Sequence, residues 1–262
     1  MEPEKLGTWR KPPLAYVVAE LVISPHYSVG AAIAALQDRV RSTYPRTVEA
    51  LELNLENPAS AAPSQVWRLL SGDQTRGIQI GARAISFHAT SYSNSEDFQT
   101  RFREVLEAVE STKLGAFVER AGLRYVDFII PAQGLTASDY LIPGLQGLEL
   151  QDGAQIESRM WAASYLVGQV RVQARTAAPA PAGMLFPPNF NALPLKKAGI
   201  MVEAEKTAAE GTQTGFIDTD CITDVNKVFD VDGLASIYQE LHGMSSSTFK
   251  ALISDRAEKE WK

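Results

Sequence analysis

One cysteine, Cys221, stands among 262 residues, so the chain cannot close a disulfide on itself. Histidine is nearly as scarce: His26, His88 and His242 share no ligand-type spacing, and a Cys/His zinc centre is not expected. Long apolar runs are also missing. The best of them, Leu14 to Ile23, is interrupted by Glu20 and is shorter than the roughly 20 residues a membrane-spanning helix requires. Lys and Arg never run longer than two together, and the net charge is −6. That balance opposes broad attraction to nucleic acid or to anionic lipid.

Catalytic signatures are absent as well. There is no Gly-x-Ser-x-Gly elbow, no phosphate-cradling Gly-x-x-x-x-Gly-Lys-Ser/Thr loop and no His-Glu-x-x-His pair. Cys221 sits in an alternating β-type segment without a base beside it, so core packing is its expected role. These gaps point away from an enzyme, and no cofactor is expected. The charged opening Met1–Lys5 is not followed by a signal-type apolar core, which leads to a cytoplasmic expectation. Hydrophobic content of 45% and charged content of 21% are those of an ordinary globular chain with a sizeable core.

What is present is a pattern that runs twice. Residues 1–12 read as an N-terminal arm carrying Trp9. Leu14 to Ile23 is a β-branched run closed by Ser24-Pro25, hence a strand. Val29, Ile33, Leu36 and Val40 recur with helical spacing. Alternation predicts strands at Val48 to Leu55 and Val66 to Leu70, then a hairpin from Ile78 and Ile80 to Ile85, Phe87 and Ala89. Ser93-Asn-Ser-Glu96 fits a capping box ahead of a helix whose stripe is Phe98, Phe102, Val105, Leu106 and Val109.

The second pass opens with a strand from Phe117 to Ile130, closed by Pro131, and a short helix or turn near Ser138 to Leu148. Paired strands are expected at Glu157 to Val167 and Gln169 to Thr176, and another pair at Gly199 to Lys206 and Gly215 to Val225. A helix from Asp232 to His242 then precedes a last one bearing Phe249, Leu252, Ile253 and Ala257. The expected fold is α+β, in two pseudo-repeated halves, 13–115 and 116–262. Each half is a curved antiparallel sheet gripping a long helix in β-α-ββββ-α order, and the second carries a proline-rich loop at 177–198.

Several segments carry a resemblance. They are Pro12-Pro-Leu-Ala-Tyr-Val-Val-Ala-Glu-Leu21, Val66-Trp-Arg-Leu-Leu-Ser-Gly-Asp73, Gly122-Leu-Arg-Tyr-Val-Asp127, Ile217-Asp-Thr-Asp220, and Leu241-His242 with Phe249 and Ile253. Together they resemble a sporadically distributed prokaryotic family of about this length that has no established function. The doubled order resembles tandem helix-grip folds of the TATA-binding-protein-like kind. The patchy distribution of such a family implies a defence-associated, antiviral or mobile-element setting.

Among individual residues, Glu20 alternates with Tyr16, Val18 and Val22 in an apolar strand and needs a partner to stay ionised. Arg124 is the natural one if the first strands of the two halves are neighbours, giving a buried or half-buried ion pair. With Tyr125, these residues also mark a ligand-binding cleft between sheet and helices. Asp218 and Asp220, two apart on one strand face, are weak metal candidates, read chiefly as solvated aspartates, with Asp230 and Asp232 as caps. His88 falls on the sheet face opposite Phe87, and His242 at a helix end where a cation suits the macrodipole. Met184, Leu185, Phe186 and Phe190, set among prolines, either cap this chain's own core or meet a protein partner.

Three functions compete. The first is a non-enzymatic binding or assembly protein that engages a protein partner or its own copy as a homo-oligomer. The second is a small-ligand or nucleotide binder with a pocket between sheet and helices. The third is a nucleic-acid-binding module, which the acidic charge disfavours. No membrane partner is expected.

Overall fold

The structure, a computed structural model, describes residues 9–52, 64–148, 154 and 156–262. It is an α+β fold built on one antiparallel sheet. The strands are β1 (Leu14–Ile23), β2 (Arg46–Glu52), β3 (Ser64–Leu70), β4 (Arg76–Ile80), β5 (Ala84–Ala89), β6 (Phe117–Ile129), β7 (Met160–Val167), β8 (Val170–Ala177) and β9 (Gly215–Val228). Their spatial order is β2-β3-β4-β5-β1-β6-β9-β8-β7, so β1 and β6 lie side by side near the middle. In their antiparallel register Val18 faces Arg124 and Glu20 faces Gly122. Among the described residues there are five α-helices: α1 (Val29–Val40), α2 (Ser95–Thr112), α3 (Gly199–Ala209), α4 (Val231–Leu252) and α5 (Asp255–Trp261).

The period-2 alternation of the strands separates two faces. Val17, Ala19, Leu21, Ile78, Ile80, Ile85, Phe87 and Leu123 face α1, α2 and α4 and form the main core with them. Phe102 of α2 joins the layers, since its ring is 5.9 Å from Phe87 and 4.6 Å from Tyr238 of α4. On the other face, Tyr16, Val126, Phe128 and Phe216 are covered by Met201 and Ala204 of α3 and by the proline-rich loop. The arm is tied to the far end of the chain: Trp9 stacks 6.3 Å from Trp261, and the Lys11 amide donates to the Trp261 carbonyl at 3.0 Å.

The stripe expected for α2 is buried as read, but its cap is Asn94, whose side chain accepts from the Asp97 amide at 2.8 Å. Asn94 caps as well as Ser93 does in sequence, and the extended backbone of Asn94 decides between them. Two further expectations need correction. Gly199–Ala209 is helical, because Met201 and Ala204, three apart, pack together onto the sheet while Glu203 and Lys206 stay out. β9 accordingly pairs with β6 and β8. The two C-terminal segments expected as separate helices are one helix through Gly243, since Leu234, Tyr238, Leu241, Ser245, Phe249 and Leu252 keep an unbroken buried stripe. The chain breaks later, where Leu141 bridges Ile253 and Ser254 caps α5. The strand expected at Val48 to Leu55 is β2 as far as Glu52, and its remainder lies outside the described residues.

The short helical turns expected near Ser138 to Leu148 are 3₁₀ turns at Ala137–Tyr140 and Pro143–Leu145. The tight turn between β7 and β8 uses Gly168 at φ 61°, a conformation that costs glycine nothing.

Candidate functional site

Arg124 and Tyr125 are neighbours in β6, so alternation sends them to opposite faces of the sheet. On the α3 side, Arg124 makes a two-pronged bond to Asp218 of β9, at 2.7 and 2.8 Å. Arg175 of β8 adds a third bond to the same carboxylate at 2.7 Å and also bonds Gln173. Asp218 has no exposed surface, whereas the two arginines keep 15% and 27% of their side chains in water. The geometry suits a guanidinium–carboxylate cluster, which holds its charges by mutual neutralisation.

Glu20, expected to be buried or half-buried, is exposed, opposite Ser86 and Gly122 in the register. Asp218, expected to be solvated, is the buried acid. Its oxygens are taken by arginines, which leaves them poorly disposed to a metal. Burial raises the carboxyl of neighbouring Asp220 above its ordinary range. Asp230 caps α4 as expected, accepting from the Gly233 amide at 2.8 Å.

Phe186 and Phe190 stack on each other and set their edges against Tyr16, and the Arg124 guanidinium lies 4.9 Å over the Phe190 ring. Met184 and Leu185 are half-buried on the same cluster. The loop thus caps this chain's own sheet. His88 does lie opposite Phe87, buried beneath that cap. Its Nδ1 is 3.0 Å from the Tyr16 hydroxyl and its Nε2 is 2.8 Å from Ser86 Oγ, and burial lowers its pKa to about 3. Cys221 is in the core, its thiol pushed up to about 12 by burial.

On the helix side, Tyr125 opens onto a pocket of about 70 Å³ between β6, β9, α4 and the arm. One wall is apolar, formed by Trp9, Pro12, Pro13, Leu14 and Phe249. The other is polar. Tyr125 Oη lies 3.0 Å from His242 Nδ1, and Tyr92 sets its ring edge-on to Tyr125 at 6.1 Å. Thr219 and Ser245 join hydroxyls at 2.7 Å. His242 is not at a helix end, as expected from sequence, but inside α4, where burial lowers its pKa and favours the neutral ring.

Asp127, only 6% exposed, also lines the pocket. Among the described residues, no donor is within hydrogen-bond distance of its carboxyl. Burial first, and the Asp218 charge across the sheet second, push its pKa up to about 8. A carboxyl in that state is a neutral acid at pH 7, able to donate one proton and accept on its second oxygen.

Sequence reasoning missed Asp127, although a signal was present: it interrupts Leu123, Tyr125 and Ile129 on one strand face as Glu20 interrupts Tyr16 and Val22. Trp9 and Tyr92 were not legible as pocket walls, since only tertiary packing brings them to β6.

No family model, curated protein or solved structure matches this chain.

Proposed function

We propose that this protein binds a small molecule in the pocket between the sheet and α4. The observation that carries this reading is Asp127. A buried carboxyl without a hydrogen-bond partner costs stability, and sites that tolerate such a cost are commonly binding sites. The mixed lining supports it too, with an apolar wall for contact area and a few convergent hydroxyls for orientation. Ligand-observed NMR with a fragment set tests it, comparing wild type with Ser246→Trp, which adds a large ring to the pocket lining. Fragments that bind wild type and not the variant are expected. Equal binding to both, or none to wild type, overturns the reading.

A second reading, self-assembly, rests on β7. This edge strand, Met-Trp-Ala-Ala-Ser-Tyr-Leu-Val, carries no charge and no proline, and Met160, Tyr165, Leu166 and Val167 are exposed. Charges usually protect such edges, as Arg46, Glu49 and Glu52 do on the opposite edge β2. Pairing with β7 of a second copy is the favoured occupant, because two such strands bring their exposed apolar side chains together without opposing any charge. Light scattering of wild type against Leu166→Lys tests this: a dimer that becomes a monomer is expected, and a wild-type monomer at high concentration refutes it.

The strand order supports reading the chain as two like halves after an arm of residues 1–12. β5-β1 is mirrored by β9-β6 about the central pair, with α2 and α4 as the gripped helices. A nucleic-acid role finds little support, since Glu20, Asp220 and Asp224 stand among the arginines on the exposed parts of the α3 side of the sheet.

A further inference from the structure

We infer that the pocket takes a small organic ammonium ion, with the Asp127 carboxylate as counter-ion and the rings of Trp9, Tyr92, Tyr125 and Phe249 as walls. The inference rests on the small-molecule reading above and names the chemistry of its ligand.

Charge is the first argument. Among the described residues lining the pocket there is no Lys or Arg, and the one basic group, His242, has its Nδ1 engaged by Tyr125 and is held neutral by burial. A lone buried carboxyl surrounded by hydroxyls and rings lacks a cation. The ligand is the group that can supply it.

The walls are the second argument. Trp9 and Phe249 are 5.6 Å apart between centroids, and Tyr92 and Tyr125 are 6.1 Å apart. Aromatic rings present a negative quadrupole to cations, and ammonium groups gain most where water is excluded. Anions are disfavoured by the same features. An inorganic cation is disfavoured because it needs several oxygen ligands, and no cluster of acidic, His or Cys side chains suited to a metal occurs among the described residues.

Size is the third. A volume of about 70 Å³ is roughly half that of a cavity that binds benzene, at about 150 Å³. The enclosed part suits an ammonium head with a few carbons, and the side open to solvent lets a longer chain emerge.

Ammonium binding also ionises Asp127, so a proton leaves as the ligand enters. The groups facing that carboxyl are Tyr125 on β6, Tyr92 on the segment after β5, His242 with Ser245 on α4, Thr219 on β9 and, through the sheet, Asp218. Leu14 is the only residue β1 adds. Of these, burial lowers the pKa of His242 and raises those of Tyr92 and Tyr125, away from the window in which Asp127, at about 8, ionises.

Calorimetry with n-propylammonium, tetramethylammonium and the neutral isosteres propionamide and 1-butanol tests the inference on wild type and Asp127→Asn. Circular dichroism checks that the variant is folded. An ammonium probe is expected to bind wild type, more weakly by about tenfold per pH unit below 8, with a heat that depends on the buffer's ionisation enthalpy. Asp127→Asn is expected to lose at least about tenfold in ammonium affinity while keeping any affinity for the isosteres. Ammonium binding unchanged in the variant overturns the inference. Binding of the isosteres without the ammonium probes also overturns it and leaves the pocket reading standing. A failure of every probe, together with a failed fragment screen, removes both.

Discussion

Asp127→Asn is expected to make this protein more stable at neutral pH. The carboxyl's ordinary pKa of 3.8 rises to about 8 in the folded state. Below pH 4 it is protonated whether the chain is folded or not, and its contribution to stability is complete. Above that, the unfolded chain releases a proton that the folded chain retains, so stability falls as pH rises until the folded group also ionises near 8. Each unit in that window costs about 1.4 kcal/mol. About three units separate 3.8 from pH 7, giving about 4 kcal/mol, and water entering the pocket lowers this to about 2–4 kcal/mol. Asparagine has the shape of the protonated acid and cannot ionise, so it removes the loss. Urea unfolding of both proteins from pH 5 to pH 8 measures the effect, and taking the difference cancels other titrating groups such as His88 and His242. The variant's advantage should grow steadily with pH. A variant less stable than wild type at pH 7, or a difference that stays flat with pH, would refute the reasoning.

Three further outcomes follow from the packing. Asp218→Asn leaves Arg124 and Arg175 without their counter-charge. A cost of about 3 kcal/mol is expected, at the low end because both arginines reach water, or a melting temperature lower by roughly 6–12 °C. The loss should change little between about 0.1 and about 1 M salt, since the pair is buried. Tyr16→Phe removes the hydroxyl beside His88 that also accepts from the Leu193 amide at 2.9 Å. It should cost about 1–2 kcal/mol and speed proteolytic cleavage within 177–198. Phe102→Ala opens a void between β5, α2 and α4, where the side chain is 2% exposed, and should cost about 3–5 kcal/mol by urea unfolding.

Much of the first 130 residues was legible, because each element there carries a pattern of its own period. β1, α1, the β4–β5 hairpin, the α2 stripe and β6 lie where alternation or helical spacing places them. The second part misled where local pattern is ambiguous. Ile200 and Val202 alternate like a strand, yet the segment Gly199–Ala209 is rich in Ala, Glu and Lys and needs only Met201 and Ala204 to bury a helix face. Gly243 and the serines after it suggest a break, but burial of one stripe along α4 outweighs their weak helix propensity.

The candidate site divides in the same way. Arg124 and Tyr125 were marked by position, but not their separation onto two faces or their partners. Asp218 and His242 lie 94 and 117 residues further along the chain.

By itself, the sequence determined which side chains alternate toward a core, where most strands and the α2 helix form, and that two acids, Glu20 and Asp127, stand within apolar strands. Those are local properties, set by backbone periodicity and side-chain chemistry over a few residues. Which acid is buried was decided only in three dimensions. Glu20 is exposed on the α3 side of the sheet, where water reaches it. Asp127 lies under α4 and the arm, buried beside Trp9 and Phe249 with no cationic side chain among the described lining residues, so its proton stays on at pH 7. The difference is one of coverage by distant elements, and coverage has no signature in the residues nearby.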